Sequence, residues 1–133
     1  MGQKREFDFM KTIALRYLNA PYVWGGKSPV GIDCSGFVQM VFKICGYPLL
    51  RDSSQQALQG RAVEADERRP GDLVFFRNAK GKLNHVGIAL DQGRIIHASG
   101  KVRIDTLTTS GIVDAETSQL THSFSHVRRV LQD

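Results

Sequence analysis

The first half of the chain has the hydrophobic pattern of helices. Apolar residues at three- and four-residue spacing form two stripes, namely Phe7, Met10, Ala14, Tyr17 and Leu18, and then Phe37, Val38, Val41, Phe42 and Cys45. Pro21 follows the first stripe and Gly46 follows the second, which are residues at which helices commonly stop. A third, short helix is expected after Asp52, because Ser53 and Gln56 have the spacing of a capping box.

After Arg69 the pattern changes to that of strands. Apolar runs predict strands at residues 73–76, 86–90, 94–98, 102–107 and 126–131. Residues 108–123 are polar and are expected to be irregular. Helices first and an antiparallel sheet of about five or six strands second favour an α+β fold, formed as one domain over residues 1–133.

The hairpin predicted between the second and third of these strands decides where two histidines lie. A three-residue loop, Asp91 to Gly93, read as a type I turn with a left-handed glycine, makes Gly87 pair with His97. His85 and His97 then share one face as diagonal neighbours, about 7–8 Å apart between backbones. A two-residue loop would place them on opposite faces. Gly87 and Ala89, on the same face, are small enough to let the second helix approach.

Cys34 begins the second helix, with Asp33 at the N-cap position. In the first turn, unpaired N–H groups and the helix dipole favour a thiolate. A cysteine nucleophile also needs a base, and the base needs an orienting group. We predict that His85 takes the thiol proton, giving a thiolate–imidazolium pair, and that His97 fixes the tautomer of His85. The backbone N–H of Cys34, with the Tyr22 hydroxyl, would stabilise the oxyanion formed from an amide.

The other cysteine and histidines are assigned to packing. Cys45 lies three turns along the helix from Cys34, too far for a disulfide. His122 and His126 are interpreted as structural, and Trp24 as a core aromatic residue. The three candidate catalytic residues could in principle hold zinc, but no short ligand spacing supports it, and no metal or other cofactor is expected.

Composition excludes several classes of function. The net charge of +5 is spread over scattered basic residues, without a basic stripe that contains aromatic residues, so a nucleic-acid partner is not expected. No apolar run approaches the length of a transmembrane helix. No apolar segment typical of a signal peptide follows the amino terminus, which predicts a cytoplasmic protein if the chain is complete, and an envelope or secreted protein if a leader or neighbouring domain has been removed. A monomer is expected.

Five motifs carry a resemblance to a known family. In chain order they are Tyr-Val-Trp-Gly-Gly, Asp-Cys-Ser-Gly-Phe, Arg-Pro-Gly-Asp-Leu-Val-Phe-Phe, Asn-His-Val-Gly-Ile and Ile-Ile-His-Ala-Ser. Together they resemble the NlpC/P60 family of bacterial cell-wall cysteine peptidases, over about residues 17–107. The resemblance implies a minimal papain-like fold with Cys34, His85 and His97 as the triad. It also implies peptidoglycan stem peptides as substrates, cleaved between γ-linked D-glutamate and a diamino acid through a thioacyl-enzyme.

The resemblance also implies a set of substrate-binding residues. Family members that cleave this bond in free peptides recognise an N-terminal L-alanine, and the matching positions include Asp33, Ser35, Asp52 and Ser53. Either aspartate would pair with the substrate ammonium and either serine would hydrogen-bond polar groups, although Asp33 and Ser53 are also explained as helix caps. Members of that specificity carry SH3-like domains beside the groove. The present residues include none, so intact wall or a different acyl substrate stays open.

Two further functions remain open on the sequence. An acyltransferase or amidase would use the same triad on another acyl substrate, and analysis of the products formed with water or with an added acceptor would distinguish it. A non-catalytic wall-binding module would keep the fold without the chemistry. An ordinary thiol pKa near 8.5 for Cys34 would favour that module.

Overall fold

The structure is a computed structural model that describes residues 3–18, 27–28, 31–99 and 101–131. The described helices are α1 (Gln3–Leu15), α2 (Cys34–Ile44) and α3 (Ser53–Gln56), with one turn of 3₁₀ helix at Ala65–Glu67. The strands are β1 (Lys27–Ser28), β2 (Gly31–Ile32), β3 (Arg61–Val63), β4 (Leu73–Arg77), β5 (Leu83–Ala89), β6 (Arg94–Ser99), β7 (Lys101–Leu107), β8 (Gly111–Val113) and β9 (Leu120–Arg129). None of the helices in these ranges is long and apolar enough to cross a membrane.

Seven of the strands form one antiparallel sheet in the order β3-β9-β4-β5-β6-β7-β8. Because β8 also pairs with β9, strands β4 to β9 close into a six-stranded barrel, and β3 is added outside it. The α+β class is therefore confirmed, with more strands than the sequence suggested. The prediction that residues 108–123 are irregular was wrong for Gly111–Val113, which form β8, and for residues 120–123, which begin β9.

The β5–β6 hairpin has the predicted register. Gly87 pairs with His97, and the N–H of Leu90 donates to the carbonyl of Arg94 at 2.8 Å. The turn itself differs from the type I prediction, because Gln92 and Gly93 both have positive φ, at 60° and 68°. The register follows from the loop length and the apolar alternation, and it is the same whichever type of turn these three residues form.

Helix α2 packs against the outer face of the barrel. Phe37 and Val41 of α2 are fully buried in one cluster with Val86, Ile88 and Ile96. Burying each side chain of this size is worth roughly 1.5–3 kcal/mol, so the helix covers the face that offers the most apolar area. The prediction that α2 approaches the face of Gly87 and Ala89 was therefore wrong.

The opposite face forms the interior of the barrel. Each of its six strands contributes at least one buried apolar side chain there, namely Val74, Phe76, Ala89, Ile95, Leu107, Ile112 and Val127. A Cβ on Gly87 would lie 2.8 Å from Cδ1 of Ile95 and 3.0 Å from Cβ of His97, so this position faces the same interior. His85 and His97 therefore project inward, beside a packed apolar core.

The helix caps are close to those predicted. Asp33 accepts a hydrogen bond from the N–H of Gly36 at 2.7 Å and caps α2, while Gly46, with φ of 91°, follows its end. The capping box of α3 begins one residue earlier than predicted, because the side chain of Gln55 accepts from the N–H of Asp52 at 3.3 Å.

Candidate active site

A buried row of hydrogen bonds joins two histidines to a carboxylate. Nε2 of His85 lies 2.9 Å from Nδ1 of His97, and Nε2 of His97 lies 2.7 Å from Oδ2 of Asp105. The carboxylate accepts only, so Nε2 of His97 carries a proton and its Nδ1 is an acceptor. His85 must then donate from Nε2, which leaves the lone pair on Nδ1 of His85. The row thus assigns one nitrogen as the available base.

Asp105 is held in its ionised form. Its Oδ1 accepts the N–H of Ala115 at 2.9 Å, and the guanidinium of Arg103 lies 2.8 Å from Oδ2. Burial acts to raise the pKa of Asp105, but the hydrogen bonds from His97, Ala115 and Arg103 outweigh it and hold the pKa well below its usual range. Arg103 is itself fixed by Asp114 at 3.0 Å.

Sequence reasoning missed Asp105, although a signal for it was present. The strand that contains it was predicted, and in the structure this strand pairs Arg103 with His97 and Asp105 with Ile95. An acidic residue two positions from the partner of His97, on the same strand face, is within reach of the imidazole. Continuing the pairing register from one strand to the next would have identified it.

A third imidazole lies against the pair. The ring of His122 stacks on that of His85, with 4.0 Å between centroids and 22° between planes, and meets the ring of His97 edge-on at 5.7 Å. Closure of the barrel brings β9 to this position, so the interpretation of His122 as a residue of structural packing alone missed its contact with the pair. His126 is a packing residue as predicted, stacked on Phe75 at 4.9 Å.

Burial favours the neutral forms at this end of the barrel. It lowers the pKa of His85 well below the usual value, with further lowering by His122 and His97. Burial, with a smaller contribution from His97, lowers the pKa of His122 to about 4. Both rings are therefore uncharged imidazoles at neutral pH.

The thiol of Cys34 lies at the amino end of α2, next to β5. Burial raises its pKa, and the carboxylate of Asp33 adds to this, although hydrogen bonds from the backbone N–H groups of Val86, Ser35 and Cys34 itself act in the opposite direction. Burial therefore favours a neutral thiol and a neutral imidazole over the predicted thiolate–imidazolium pair. Among the described residues, no hydrogen bond joins the thiol to the ring of His85, whose Nε2 bonds His97.

A cavity of about 710 Å³ opens beside Cys34. Its other lining residues are Asp33, Ser35, Arg51, Asp52, Ser53, Asn78, Lys82, Leu83 and Asn84. All four residues assigned to substrate binding therefore face one cavity. Tyr22 and Trp24 lie outside the described residues.

Arg51 organises the floor of this cavity. Its guanidinium donates to Oδ2 of Asp33 at 2.8 Å and to Oγ of Ser35 at 2.9 Å. Oδ1 of Asp33 caps α2, so both carboxylate oxygens already have partners within the protein. Asp52 and Ser53 stand at the exposed start of α3, on the side of the cavity formed by that helix.

Comparison with known proteins gives one consistent family. The NlpC/P60 family model matches residues 19–121. The γ-D-glutamyl-L-lysine dipeptidyl-peptidase of Bacillus subtilis (strain 168) is 40% identical over 123 residues, which cover 89% of this chain and 41% of that protein. The probable endopeptidase p60 of Listeria seeligeri is 40% identical over 99 residues, covering 74% of this chain and 19% of that protein. The chain thus spans less than half the length of these relatives.

Solved structures agree. An NlpC/P60 family protein from Bacillus cereus ATCC 10987 superposes with a TM-score of 0.81 at 33% identity, covering 94% of this chain and 40% of that one. The peptidoglycan hydrolase RipB of Mycobacterium tuberculosis gives a TM-score of 0.77 at 27% identity, covering 98% and 67%. The order of helices and antiparallel strands is accordingly that of an α+β, papain-like fold. On the family match, the sequence identity and the shared fold, the chain belongs to the NlpC/P60 family.

Proposed function

We propose that this domain is a cysteine peptidase that hydrolyses amide bonds in peptidoglycan stem peptides, with the γ-D-glutamyl–diamino acid bond as its target. The observation that carries the proposal is the buried row from Asp105 through His97 to His85, which ends on β5, the strand against which the helix that bears Cys34 packs. The names of the relatives support the substrate class, since two of them are γ-D-glutamyl-L-lysine dipeptidyl-peptidases.

In the acylation step, the sulfur of Cys34 attacks the amide carbonyl while Nδ1 of His85 takes the thiol proton. Because burial favours the neutral form of both groups, proton transfer accompanies the attack. The contact between sulfur and Nδ1 forms when substrate is bound, as catalytic hydrogen bonds often tighten only in the complex. The imidazolium of His85 is stabilised through His97 by the negative charge of Asp105.

The remaining steps use two protons in turn, the one that His85 took from the thiol and one that it takes from water. The carbon–nitrogen bond of the tetrahedral intermediate breaks, His85 protonates the leaving amine, and the acyl group stays on Cys34 as a thioester. His85 then takes a proton from water, whose oxygen attacks the thioester, and the carbon–sulfur bond breaks to release the acid. The imidazolium of His85 returns its proton to the sulfur, which restores the thiol and the neutral imidazole. The N–H of Cys34 at the start of α2 donates to the oxyanion, and Tyr22 remains the candidate for a second donor.

The cavity supports a division of roles in substrate binding. Asp33 is almost fully buried and is paired with Arg51, so its role is to hold the guanidinium and the start of α2 in place. Asp52 stands at the start of α3 and is the better placed carboxylate for a substrate ammonium. Ser35 and Ser53 are positioned to hydrogen-bond the peptide.

The test is digestion of defined muropeptides, followed by mass spectrometry of the products. Cys34→Ala is expected to abolish cleavage, while Cys45→Ala, which removes the other thiol, keeps it. Cleavage by Cys34→Ala protein would overturn the proposal. Products that carry an added amine in place of water would instead identify an acyltransferase.

A further inference from the structure

Three imidazoles meet at one end of the barrel, although the proposed hydrolysis uses only two. One nitrogen each from His85, His97 and His122 lies within 4.8 Å of the others. Within the described part of the chain, this is the group of three histidine, cysteine or acidic side chains that is close enough to share a metal ion. His122 has no step in the proposed reaction, so its position against the pair calls for a separate explanation.

One of the three spacings between these nitrogens is already close to that of a metal site. Zinc–imidazole bonds of 2.0–2.1 Å in tetrahedral geometry separate the ligand nitrogens by about 3.3 Å. Nε2 of His85 and Nδ1 of His97 are already 2.9 Å apart. Imidazole nitrogen is a ligand that suits zinc, copper and nickel, and a three-histidine set leaves the fourth position open.

The outer nitrogens of two of the rings are hydrogen-bonded, as the outer nitrogens of metal-binding histidines usually are. Asp105 holds Nε2 of His97 at 2.7 Å, which turns Nδ1 toward the other rings. The hydroxyl of Thr121 lies 2.8 Å from Nδ1 of His122, which favours Nε2 as its ligand atom. A carboxylate behind a ligating histidine is the usual support of such a site and raises the basicity of the ligand.

We propose that His85, His97 and His122 form a binding site for a divalent transition-metal ion of the zinc type, and that the bound ion switches the peptidase off. The ion would bind Nε2 of His85, Nδ1 of His97 and Nε2 of His122, with water in the fourth position. The stacked ring of His122 must turn to bring the ion into its plane. It can turn because His122 is only half-buried, while the other two rings are buried.

Inhibition follows from the tautomer of His85. At rest the proton of the neutral ring is on Nε2, where it bonds His97. A metal at Nε2 needs the lone pair there, so the proton moves to Nδ1, the atom that would otherwise accept the thiol proton. No proton is lost overall, and the ion needs no contact with Cys34. The metal thus removes the base while leaving the sulfur in place.

Metal binding is measured on Cys34→Ala protein, which removes the competing thiolate ligand. We expect Zn²⁺ to bind by titration calorimetry and to raise the melting temperature, and Co²⁺ to give the visible absorption of a tetrahedral nitrogen site. Adding His122→Phe keeps an aromatic ring on His85 but removes one ligand. Zn²⁺ binding is expected to weaken at least about tenfold, because even the loss of a residue that only supports a metal ligand weakens binding by about that much. Adding His126→Phe removes a histidine outside the cluster and is expected to leave binding unchanged.

Inhibition is measured on proteins that retain Cys34, with each rate expressed relative to the same variant in chelator. Zn²⁺ is expected to inhibit the parent and His126→Phe proteins at the same concentration, and His122→Phe only at a concentration at least about tenfold higher. Equal inhibition of all three would mean that the ion acts through Cys34 and His85, and would overturn the proposal. Failure of Cys34→Ala protein to bind Zn²⁺ would also overturn it. Because binding is measured without turnover, this outcome is distinct from failure of the proposed peptidase activity.

Discussion

Asp72 and Asp105 are both buried carboxylates beside an arginine, yet they belong to different parts of the barrel. Asp72 accepts from the N–H of Arg69 and is gripped by the guanidinium of Arg129 at 2.8 and 2.9 Å, which ties the turn before β4 to the end of β9. Asp105 accepts from His97, and through it reaches His85. Asp72 thus forms a structural clamp with Arg129, whereas Asp105 is connected through His97 to the candidate base, His85.

The comparison shows that burial and charge pairing do not by themselves identify a functional carboxylate. Both side chains are at most 3% exposed, and each has an arginine partner. The two carboxylates differ in the kind of group that contacts them. The Asp72 carboxylate accepts from a backbone N–H and a guanidinium, which hold it in position. Asp105 instead contacts an imidazole, whose tautomer determines which nitrogen of the next ring carries a proton.

The largest expected effect on turnover comes from removing His85, the candidate base at the end of the row of hydrogen bonds that begins at Asp105. His85→Ala is expected to lower turnover of a muropeptide by about 10⁴–10⁶-fold, as losses of a catalytic base do in a comparable triad. His126→Ala is the control, since that ring packs on Phe75 outside the row. Turnover of His85→Ala protein within tenfold of the parent would contradict the assignment of the base.

Breaking the structural clamp should affect stability first. Asp72→Ala removes the carboxylate that neutralises the buried guanidinium of Arg129 and is expected to cost about 3–5 kcal/mol of unfolding free energy. That is a large part of the 5–15 kcal/mol typical of a domain. Urea denaturation measures the loss. If the variant is destabilised by less than about 1 kcal/mol, Asp72 is not the clamp that the geometry indicates.

Asp105→Asn is expected to reduce turnover rather than stability, and so it tests the difference between Asp105 and Asp72 most directly. The amide of asparagine can donate to Nε2 of His97, which would move its proton to Nδ1 and force His85 into the wrong tautomer. Turnover is expected to fall by about 10²–10³-fold, less than the roughly 10⁴-fold loss seen where a carboxylate contacts the base directly. Nitrogen-15 NMR of the histidine rings reads the tautomers.

The matched control for this variant is Asp72→Asn. It should lose stability with little change in the turnover of the folded fraction, and should leave the ring spectra unchanged. If Asp105→Asn shows only a loss of stability, with parent turnover and parent tautomers, then Asp105 is a second structural clamp and has no positioning role.

The smallest expected effect on turnover comes from shifting His97 slightly within the row of hydrogen bonds. A Cβ on Gly87 would lie 2.8 Å from Ile95 and 3.0 Å from Cβ of His97, so Gly87→Ala is expected to cost about 1–3 kcal/mol and to reduce kcat by displacing His97. Gly81→Ala is a control of similar cost, about 1–2 kcal/mol, because Gly81 has a φ of 79° in open space. The control should leave kcat unchanged. Equal kcat in both variants would contradict the displacement of His97.

Local features of the structure could be predicted well from the sequence. The register of the β5–β6 hairpin follows from a three-residue loop and the apolar alternation on either side of it, and it brings His85 and His97 together. The N-cap of α2 follows from Asp33. The face to which α2 packs was predicted wrongly, because the space left by small residues was weighed above the larger apolar area of Val86 and Ile88.

Features that depend on distant pairing could not be predicted in the same way. β8 is only three residues long, and it joins the sheet through backbone hydrogen bonds to β7 and β9. The polar side chains around it give no sign of this pairing in the sequence. The closure made by β8 and β9 places His122 on the ring of His85. The protonation state of the thiol also escaped prediction, because it depends on burial and on the carboxylate of Asp33.

By itself the sequence determined the elements, the order of the motifs, and the shared face of His85 and His97, because periodicity and loop length act over a few residues. Only the tertiary structure decided that Asp105 supports His97, that His122 joins the pair, and that burial favours the neutral forms of the thiol and the imidazole. These outcomes depend on which strands become neighbours and how much water is excluded between them. Both are properties of the closed barrel as a whole, and no local stretch of sequence specifies them.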